Sequence, residues 1–142
     1  MKKVGDILES KGHEVWSIGP NESVFDALKL MAEKGIGALV VLEASKVVGI
    51  ISERDYARKV ILQGRSSPTT LVSEIMTPRV VYAQPQQNVD ECMVIMTEKR
   101  IRHLPVMEEG RLVGVISIGD LVKSIIAEQQ FLIEQLERYI TT

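Results

Sequence analysis

The amino-acid sequence predicts a mixed α/β fold made of two β-α-β-β-α repeats, packed sheet to sheet around a pseudo-twofold axis. Three observations support this prediction. The chain aligns with itself at an offset of 65 residues, its composition is 45% apolar but only 4% aromatic, and its apolar runs are as short as strands. An aliphatic core of this kind suits helices packed on a buried sheet. An N-terminal helix and a long C-terminal helix are expected to flank the repeats.

The repeat is the strongest of these signals. Residues 15–57 align with residues 80–122 without a gap, and 15 of the 43 positions are identical. A weaker match precedes each copy, because Val4 to Leu8 resembles Val72 to Met76. One copy is too small to bury a sufficient core alone, so the two copies are expected to pack together.

Each copy contains the same predicted elements in the same order. The first helix of each copy begins with a capping-box pattern, Ser23-x-x-Asp26 or Asn88-x-x-Glu91, and carries apolar residues at helical spacing. The predicted elements are strands 15–18 and 80–83, helices 23–34 and 88–100, strands 38–42 and 103–107, strands 47–51 and 112–116, and second helices from 53 and 118. The chain is therefore divided into a first repeat with its N-terminal helix (1–60), a linker (61–74) and a second repeat with the C-terminal helix (75–142).

The charge and the cysteine content exclude several classes of protein. The net charge is −2, which gives no general attraction to nucleic acid or to anionic membranes. Cys92 is the only cysteine, so neither an internal disulfide nor a cysteine-based metal cluster is expected. The first twelve residues lack the apolar stretch of a signal peptide, and no apolar run could span a bilayer. A soluble, cytoplasmic protein without a bound metal is predicted.

Four segments carry a family resemblance. They are Glu74-Ile75-Met76-Thr77, Gly49 to Asp55, Gly114 to Asp120, and Lys99 to Val106. In combination they resemble the tandem cystathionine-beta-synthase (CBS) repeat, or Bateman module, in a stand-alone form. The resemblance implies two clefts between the repeats, each able to hold AMP, ADP, ATP, NAD(H) or S-adenosylmethionine, with no cofactor required.

A first nucleotide site is predicted where the second helix of the first repeat begins. Helix N-termini attract phosphate, Ser52 can donate to a phosphate oxygen, and Arg54 can bind it with charge-assisted bonds, with Arg58 nearby. An ionised Asp55 accepts hydrogen bonds only, which suits the paired ribose hydroxyls. Adenine needs an apolar slot, for which the candidates are Ile50, Val48, Val15 and Trp16.

The same residues have a purely structural interpretation. Ser-x-x-Asp is close to a capping box, and the pattern alone favours capping about threefold over ligand binding. The family resemblance reverses this preference for Asp55, and less so for Asp120. Trp16 can equally be a partly buried strand residue, and Cys92 is expected to be a core residue.

The two sites are predicted to be unequal. The residues before Leu104-Pro105-Val106 are similar to those of the regulatory gamma subunit of AMP-activated protein kinase, where a basic stretch contacts phosphate. The resemblance implies that Arg100, Arg102 and His103 face the first site across the cleft, although Arg100 could equally be a solvated helix end. The second site is expected to be weak or empty, or to take only an adenosine end, because uncharged residues would face it and Gly119 stands where the first site has Arg54. Its residues are Ser117, Asp120, Gly37, Ala38 and Val80.

The C-terminal helix has an apolar seam. Ile118, Val122, Ile125, Leu132, Leu136 and Tyr139 recur at heptad spacing, with Gln129 as a polar insertion. The first helix of the same chain, around Val4 to Leu8, could cover this seam, but a homodimer is favoured.

Two functions remain open on this basis. The favoured function is a non-catalytic regulatory module that binds AMP, or else ADP, ATP or NAD(H), and signals to an unidentified protein partner. The alternative is a structural or protein-interaction module that dimerises and leaves its clefts empty. An enzyme is the least favoured class, since no nucleophile–base pair, P-loop or dinucleotide fingerprint is visible.

Overall fold

The computed structural model describes residues 2–141, with only the backbone of Thr141 included. The chain packs as two units, Val15–Val80 (the first-repeat unit) and Met1–Glu14 with Val81–Thr142 (the second-repeat unit). The helices and strands are α1 (Val4–Lys11), β1 (Ser17–Ile18), α2 (Val24–Lys34), β2 (Ala38–Glu43), β3 (Lys46–Ser52), α3 (Glu53–Tyr56), a π-helical turn (Ala57–Ile61), a 3-10 turn (Ser67–Thr69), α4 (Val72–Ile75), α5 (Val89–Lys99), β4 (His103–Glu108), β5 (Arg111–Ser117) and α6 (Ile118–Thr141).

The predicted mixed α/β fold and its internal repeat are confirmed. Helices α2 and α5 and both strand pairs begin and end at residues exactly one repeat offset apart. In the first-repeat unit β1 pairs parallel with β2, which pairs antiparallel with β3. In the second-repeat unit β4 pairs antiparallel with β5. Even the irregularity in pairing recurs, between Val41 and Leu42 and between Val106 and Met107.

The short helix that precedes each repeat packs in the unit of the other repeat. Helix α1 precedes the first repeat, yet its Val4, Ile7 and Leu8 are buried in the core of the second-repeat unit. Helix α4 precedes the second repeat, yet Val72 and Ile75 belong to the core of the first-repeat unit. The sequence division into 1–60, 61–74 and 75–142 therefore does not follow the packed units, because the apolar residues of α1 fill the core beside β5.

One glycine in each repeat makes this packing possible. A Cβ atom at Gly49 of β3 would lie 2.5 Å from Sδ of Met76, just after α4. A Cβ atom at Gly114 of β5 would lie 2.6 Å from Cδ2 of Leu8 in α1. Leu8 and Met76 are matching residues of the weaker sequence match, so both repeats accept the incoming helix in the same way.

Two predicted segments differ in detail. The strand predicted at 80–83 is reduced to an isolated bridge between Ala83 and Val106, although the strand predicted at 15–18 is present as β1. The predicted linker ends inside a helix, because α4 begins at Val72. Its backbone is fixed by hydrogen bonds from Val72 N to Glu22 O and from Ser73 N to Pro20 O.

Helix α6 runs from Ile118 to Thr141 and is the long C-terminal helix that the sequence predicted. Its first turns are anchored in the core by Leu121 and Ile125. Eight large apolar side chains of the helix are exposed: Val122, Ile126, Phe131, Leu132, Ile133, Leu136, Tyr139 and Ile140. Among the helices described, none is long and apolar enough to cross a membrane.

Candidate functional site

The first candidate site lies at the junction of β3 and α3. Asp55 Oδ2 accepts hydrogen bonds from the backbone N–H of Ser52 at 2.9 Å and from its hydroxyl at 3.0 Å. The Ser52 hydroxyl in turn accepts from the backbone N–H of Asp55 at 3.2 Å. These residues form a complete capping box, which is the structural interpretation that the sequence left open.

Hydrogen bonds at this junction occupy backbone N–H groups that a phosphate would need. The backbone N–H of Glu53 donates to Gly37 O at 3.0 Å, and that of Asp55 is taken by Ser52. A bare helix N-terminus is therefore not available here, and a phosphate would depend more on side-chain cations. Arg54 is half-buried and Arg58 is exposed, so the two arginines of this unit differ in their environment.

A lysine absent from the sequence-based set accompanies Asp55. Lys59 Nζ lies 3.4 Å from Asp55 Oδ1 and donates to the carbonyl of Ile75 at 2.9 Å. Lys59 lies in the π-helical turn that follows α3 and is 45% exposed, whereas the Asp55 side chain is 16% exposed. The i,i+4 spacing from Asp55 was a visible signal for this pair.

The second candidate site lies at the junction of β5 and α6, and repeats the capping box. Asp120 Oδ2 accepts from the backbone N–H of Ser117 at 2.8 Å, and the Ser117 hydroxyl accepts from Asp120 N at 3.2 Å. The N–H of Ile118 donates to Arg102 O at 2.8 Å, which matches the Glu53–Gly37 bond of the first junction. The backbone frames of the two junctions are thus the same.

The charge at the second junction comes from a different place. Lys11 of α1 donates to Asp120 Oδ2 at 2.7 Å and to the carbonyl of Val115 at 2.9 Å. No local sequence signal indicated this pair, because Lys11 and Asp120 are 109 residues apart. Nearby, His13 Nδ1 lies 2.8 Å from the carbonyl of Val113, which holds the chain after α1 along β5.

The pKa values of Asp120 and His103 reflect these neighbours. Burial alone would raise the pKa of Asp120, but the hydrogen bonds from Lys11 and Ser117 together lower it below its usual value. Burial lowers the pKa of His103, Lys11 and Arg102 lower it further, and the Asp120 carboxylate opposes this only in part. His103 is therefore a neutral imidazole near pH 7, and the cations of the predicted basic stretch are Arg100 and Arg102.

The predicted basic residues belong to the second-repeat unit. Arg100 is exposed and caps helix α5 in the left-handed conformation, with φ 56°, where the first repeat has Gly35. Arg102 is exposed, and His103 begins β4 opposite Ser117. At the matching positions of the first-repeat unit Gly37 is half-buried and Ala38 is buried opposite Ser52. That Arg100, Arg102 and His103 share one ligand with Asp55 stays a prediction.

The candidates for an adenine slot are half-buried. Val15, Trp16 and Ile50 have this intermediate exposure in the first-repeat unit, as Val80 does at its end. Trp16 packs against the core, and Lys34 Nζ lies 4.1 Å from the centre of its ring. One face of the indole thus already has a cation partner.

Cys92 behaves as the sequence predicted. It is buried in the core of the second-repeat unit, and burial, helped by Glu91, raises its pKa to about 11. A thiol with such a pKa is a poor nucleophile at neutral pH. Within residues 2–141, no group of three histidine, cysteine or acidic side chains could hold a metal ion.

Comparison with known families places the chain. The model of the CBS domain matches it twice, over residues 4–61 and 72–127. The chain belongs to the CBS domain family. It is 39% identical to the mitochondrial CBS domain-containing protein CBSX3 of Arabidopsis thaliana, over 96% of this chain and 71% of that protein.

Solved structures agree with the fold. A CBS-domain protein from Burkholderia ambifaria superposes with a TM-score of 0.87 and 56% identity, covering 90% of this chain and 96% of that one. The CBS domain pair of protein MJ0100, solved with 5′-methylthioadenosine and S-adenosyl-L-methionine, gives 0.80 and 27%, covering 90% and 98%. A hexameric CBS-CP12 protein from bloom-forming cyanobacteria gives 0.76 and 31%, covering 86% and 70%. The recognition of a tandem CBS pair is thereby confirmed.

Proposed function

We propose that this chain is a non-catalytic regulatory module that binds one adenine nucleotide, with Asp55 as the acceptor for the ribose hydroxyls. The observation that carries the proposal is the Ser52–Asp55 junction. There an acidic side chain, only 16% exposed, is held in place by a capping box and has a weak lysine contact on its other oxygen. That MJ0100 was solved with two adenosine derivatives supports a ligand of the same class.

The phosphate end of the ligand needs cations that the capping box does not provide. Arg54 and Arg58 come from the same unit as Asp55. Arg100 and Arg102 come from the other repeat, with His103 as a hydrogen-bonding neighbour whose protonation a phosphate would favour. AMP is the proposed ligand, and ADP, ATP and NAD(H) are the alternatives that a binding panel must separate.

A ligand held in this way acts by shifting a conformational equilibrium. The shift cannot exceed the difference in the ligand's affinity for the two states. The receiving protein is a partner not yet identified. The single, buried cysteine is compatible with the reducing cytoplasm, where we expect the module to work.

Thermal unfolding with AMP, ADP, ATP, NADH and S-adenosylmethionine tests the proposal. A ligand at about 100 times its dissociation constant adds roughly 2.7 kcal/mol to the free energy of unfolding. For a chain of this length, the melting temperature then rises by on the order of 5–10 °C. If none of the five compounds raises it, the proposed function is wrong.

Asp55→Asn separates ligand binding from helix capping. The amide oxygen of asparagine can still accept from Ser52 N–H, while the negative charge and one acceptor are lost. We expect the stability without ligand to fall by no more than about 1 kcal/mol, and the AMP-induced shift to be lost, in this variant. Asp90→Asn, an exposed acid in the first turn of α5, is the matched control and should keep the shift. Normal AMP binding by Asp55→Asn would reduce Asp55 to a capping residue.

Arg102→Ala tests the contribution of the second repeat. In the proposed site the guanidinium binds the phosphate end, so AMP binding should weaken by about tenfold or more while adenosine binding changes little. Isothermal titration calorimetry measures both affinities. Equal losses for AMP and adenosine would remove the phosphate contact from the proposal.

The exposed seam on α6 supports self-association, which is the second candidate function. The seam was predicted from heptad spacing, and Leu132 and Leu136 are 54% and 62% exposed. The occupant we propose is the same helix of a second copy, because heptad spacing is what two helices need to interlock. The hexameric CBS-CP12 neighbour shows that a related chain assembles into oligomers.

Multi-angle light scattering tests whether the chain forms a dimer through the α6 seam. The wild-type chain should elute as a dimer, and Leu132→Glu should give a folded monomer. Lys123→Glu changes a charge on the same helix outside the seam and should remain dimeric. A monomeric wild-type protein contradicts the dimer, whereas a dimer that no adenine nucleotide stabilises favours the purely structural function.

A further inference from the structure

Asp120 has a tighter ion pair than its counterpart in the first repeat. Lys11 Nζ is 2.7 Å from Asp120 Oδ2, the same oxygen that accepts from the N–H of Ser117. The ammonium is also fixed by the carbonyl of Val115. Lys11 thus occupies one oxygen of the Asp120 carboxylate, and Asp120 stands at the position that Asp55 has in the first repeat.

The lysine at the first junction does something different. Lys59 contacts Asp55 Oδ1 at 3.4 Å, away from the oxygen that caps the helix, and its short bond goes to Ile75 O. A ribose hydroxyl and Lys11 would both donate to the charged carboxylate, but only Lys11 carries a positive charge of its own. A ribose hydroxyl must therefore displace a formed ion pair in order to bind this oxygen of Asp120.

We propose that Lys11 closes the Asp120 position to ribose-bearing ligands and thereby limits the chain to one nucleotide. The inference rests on the proposed function, because it assumes that the Asp55 position binds ribose. Helix α1 is anchored through the buried residues Val4, Ile7 and Leu8, so the lysine at its last turn is delivered to β5 by a fixed element. Lys11 is therefore a residue that determines specificity.

The Ser117 junction has space for a Cβ atom at residue 119, where the first repeat has Arg54. A Cβ atom at Gly119 would meet only the Ser117 hydroxyl, at an ordinary 3.6 Å. Gly119 occupies the position of Arg54, and it does not have a positive φ. A side chain at residue 119 therefore fits, and Gly119→Arg can supply the missing phosphate partner.

Adenosine is the probe that isolates the ribose contact, because it has no phosphate to interact with Lys11. In an Asp55→Ala background, which removes the first site, we expect negligible binding by calorimetry. Adding Lys11→Met should restore one adenosine per chain, with affinity raised by up to about fivefold. The gain should be absent with 2′,3′-dideoxyadenosine, which lacks both hydroxyl donors. Lys11→Gln serves as a second variant if Lys11→Met does not fold.

Lys123→Met is the matched control, since it removes one positive charge from α6 and should not restore binding. If the wild type binds one adenosine and Lys11→Met also binds one, Lys11 does not gate the site, although the proposed function stands. Two equivalents on the wild type overturn the inference in the same way. If Lys11→Met binds adenosine where the wild type binds none, Lys11 does close the Asp120 position, but the assignment of the Asp55 site and the limit of one nucleotide per chain both fail. Loss of adenosine binding in Lys11→Met would make Lys11 a ligand contact instead.

Adding Gly119→Arg to Lys11→Met and Asp55→Ala extends the test to AMP. The triple variant should bind AMP at least tenfold more tightly than the double variant, while adenosine binding stays the same. An equal affinity for AMP in both variants would show that the 119 position does not face the phosphate end of a ligand, and would contradict the site model on which the gate depends.

Discussion

The Ser52–Asp55 and Ser117–Asp120 junctions share a backbone frame and differ in their cations. Both have a strand that ends in serine, a capping box and a carbonyl that accepts from the first helical N–H. Asp55 is paired with a lysine of the following turn, whereas Asp120 is paired with a lysine from a separate helix. The repeat therefore duplicates the capping frame, while the lysine that pairs with each aspartate comes from a chain segment outside the alignment.

Both repeats have a glycine against which the preceding helix packs, and substitutions at these two glycines should have the largest effect on stability. A Cβ atom at Gly49 would press on Met76 Sδ at 2.5 Å and on Thr77 O, a backbone atom, at 3.1 Å. At Gly114 it would meet only the flexible end of Leu8. We expect Gly49→Ala to lower the free energy of unfolding by about 1–3 kcal/mol and Gly114→Ala to cost less. Urea denaturation measures both.

A compensating substitution verifies the cause of the Gly49→Ala effect. Met76→Ala removes the thioether that the new methyl group would contact, so the double variant should be less unstable than the sum of the single changes. Simple additivity would show that the destabilisation comes from the β3 backbone and not from the contact with Met76.

The helices before β2 and β4 end in different cap residues, Gly35 and Arg100. Substitutions at these two caps should have the next largest effect on stability. Gly35 and Arg100 both cap their helices in the left-handed conformation, which costs a residue with a Cβ roughly 1–2 kcal/mol. Part of the gain from glycine is offset by its greater freedom in the unfolded chain. Arg100→Gly should therefore stabilise the protein by about 1 kcal/mol, and Gly35→Arg should destabilise it by a similar amount.

The binding readout sharpens this prediction. If Arg100 contacts a phosphate, Arg100→Gly gains stability and loses affinity for AMP, which thermal unfolding with and without AMP detects. A variant that is more stable and binds AMP normally would leave Arg100 as a solvated helix end, which was the alternative interpretation of the sequence.

The sequence was sufficient to predict the repeated helices and strands. It was not sufficient to predict that α1 packs in the second-repeat unit and α4 in the first-repeat unit. The identities at the 65-residue offset, the capping boxes and the apolar periodicity all involve residues inside the two repeats. These signals therefore located α2, α5 and the strand pairs. Lys11 and Asp120 meet only because α1 packs beside β5, and a contact between such distant residues leaves no periodic trace. The weak match of Leu8 with Met76, read together with Gly49 and Gly114, was the only signal of this packing.

Acidification should affect stability through His103 of the second-repeat unit. The folded chain holds the pKa of His103 below 6.5, so the unfolded chain takes up the proton at a higher pH. The free energy of unfolding therefore has its full value above pH 6.5. It decreases as the pH falls from there through the folded-state pKa of His103. His103→Gln should flatten the dependence of the melting temperature on pH between about 5 and 7. An equal flattening in His13→Gln, the matched histidine control, would contradict this.

The smallest expected effect is the coupling of each acid to its lysine, and it tests the comparison directly. Lys11 and Asp120 are 39% and 19% exposed and only 2.7 Å apart, so a double-mutant cycle with Lys11→Met and Asp120→Asn should give up to about 1 kcal/mol. The Lys59–Asp55 cycle should give roughly 0.3–0.5 kcal/mol or less, since the atoms are 3.4 Å apart and Lys59 is more exposed. Equal coupling in the two cycles would mean that Asp120 is no more occupied by its lysine than Asp55, and the inequality of the two sites would then have to come from Arg54 and Gly119 alone.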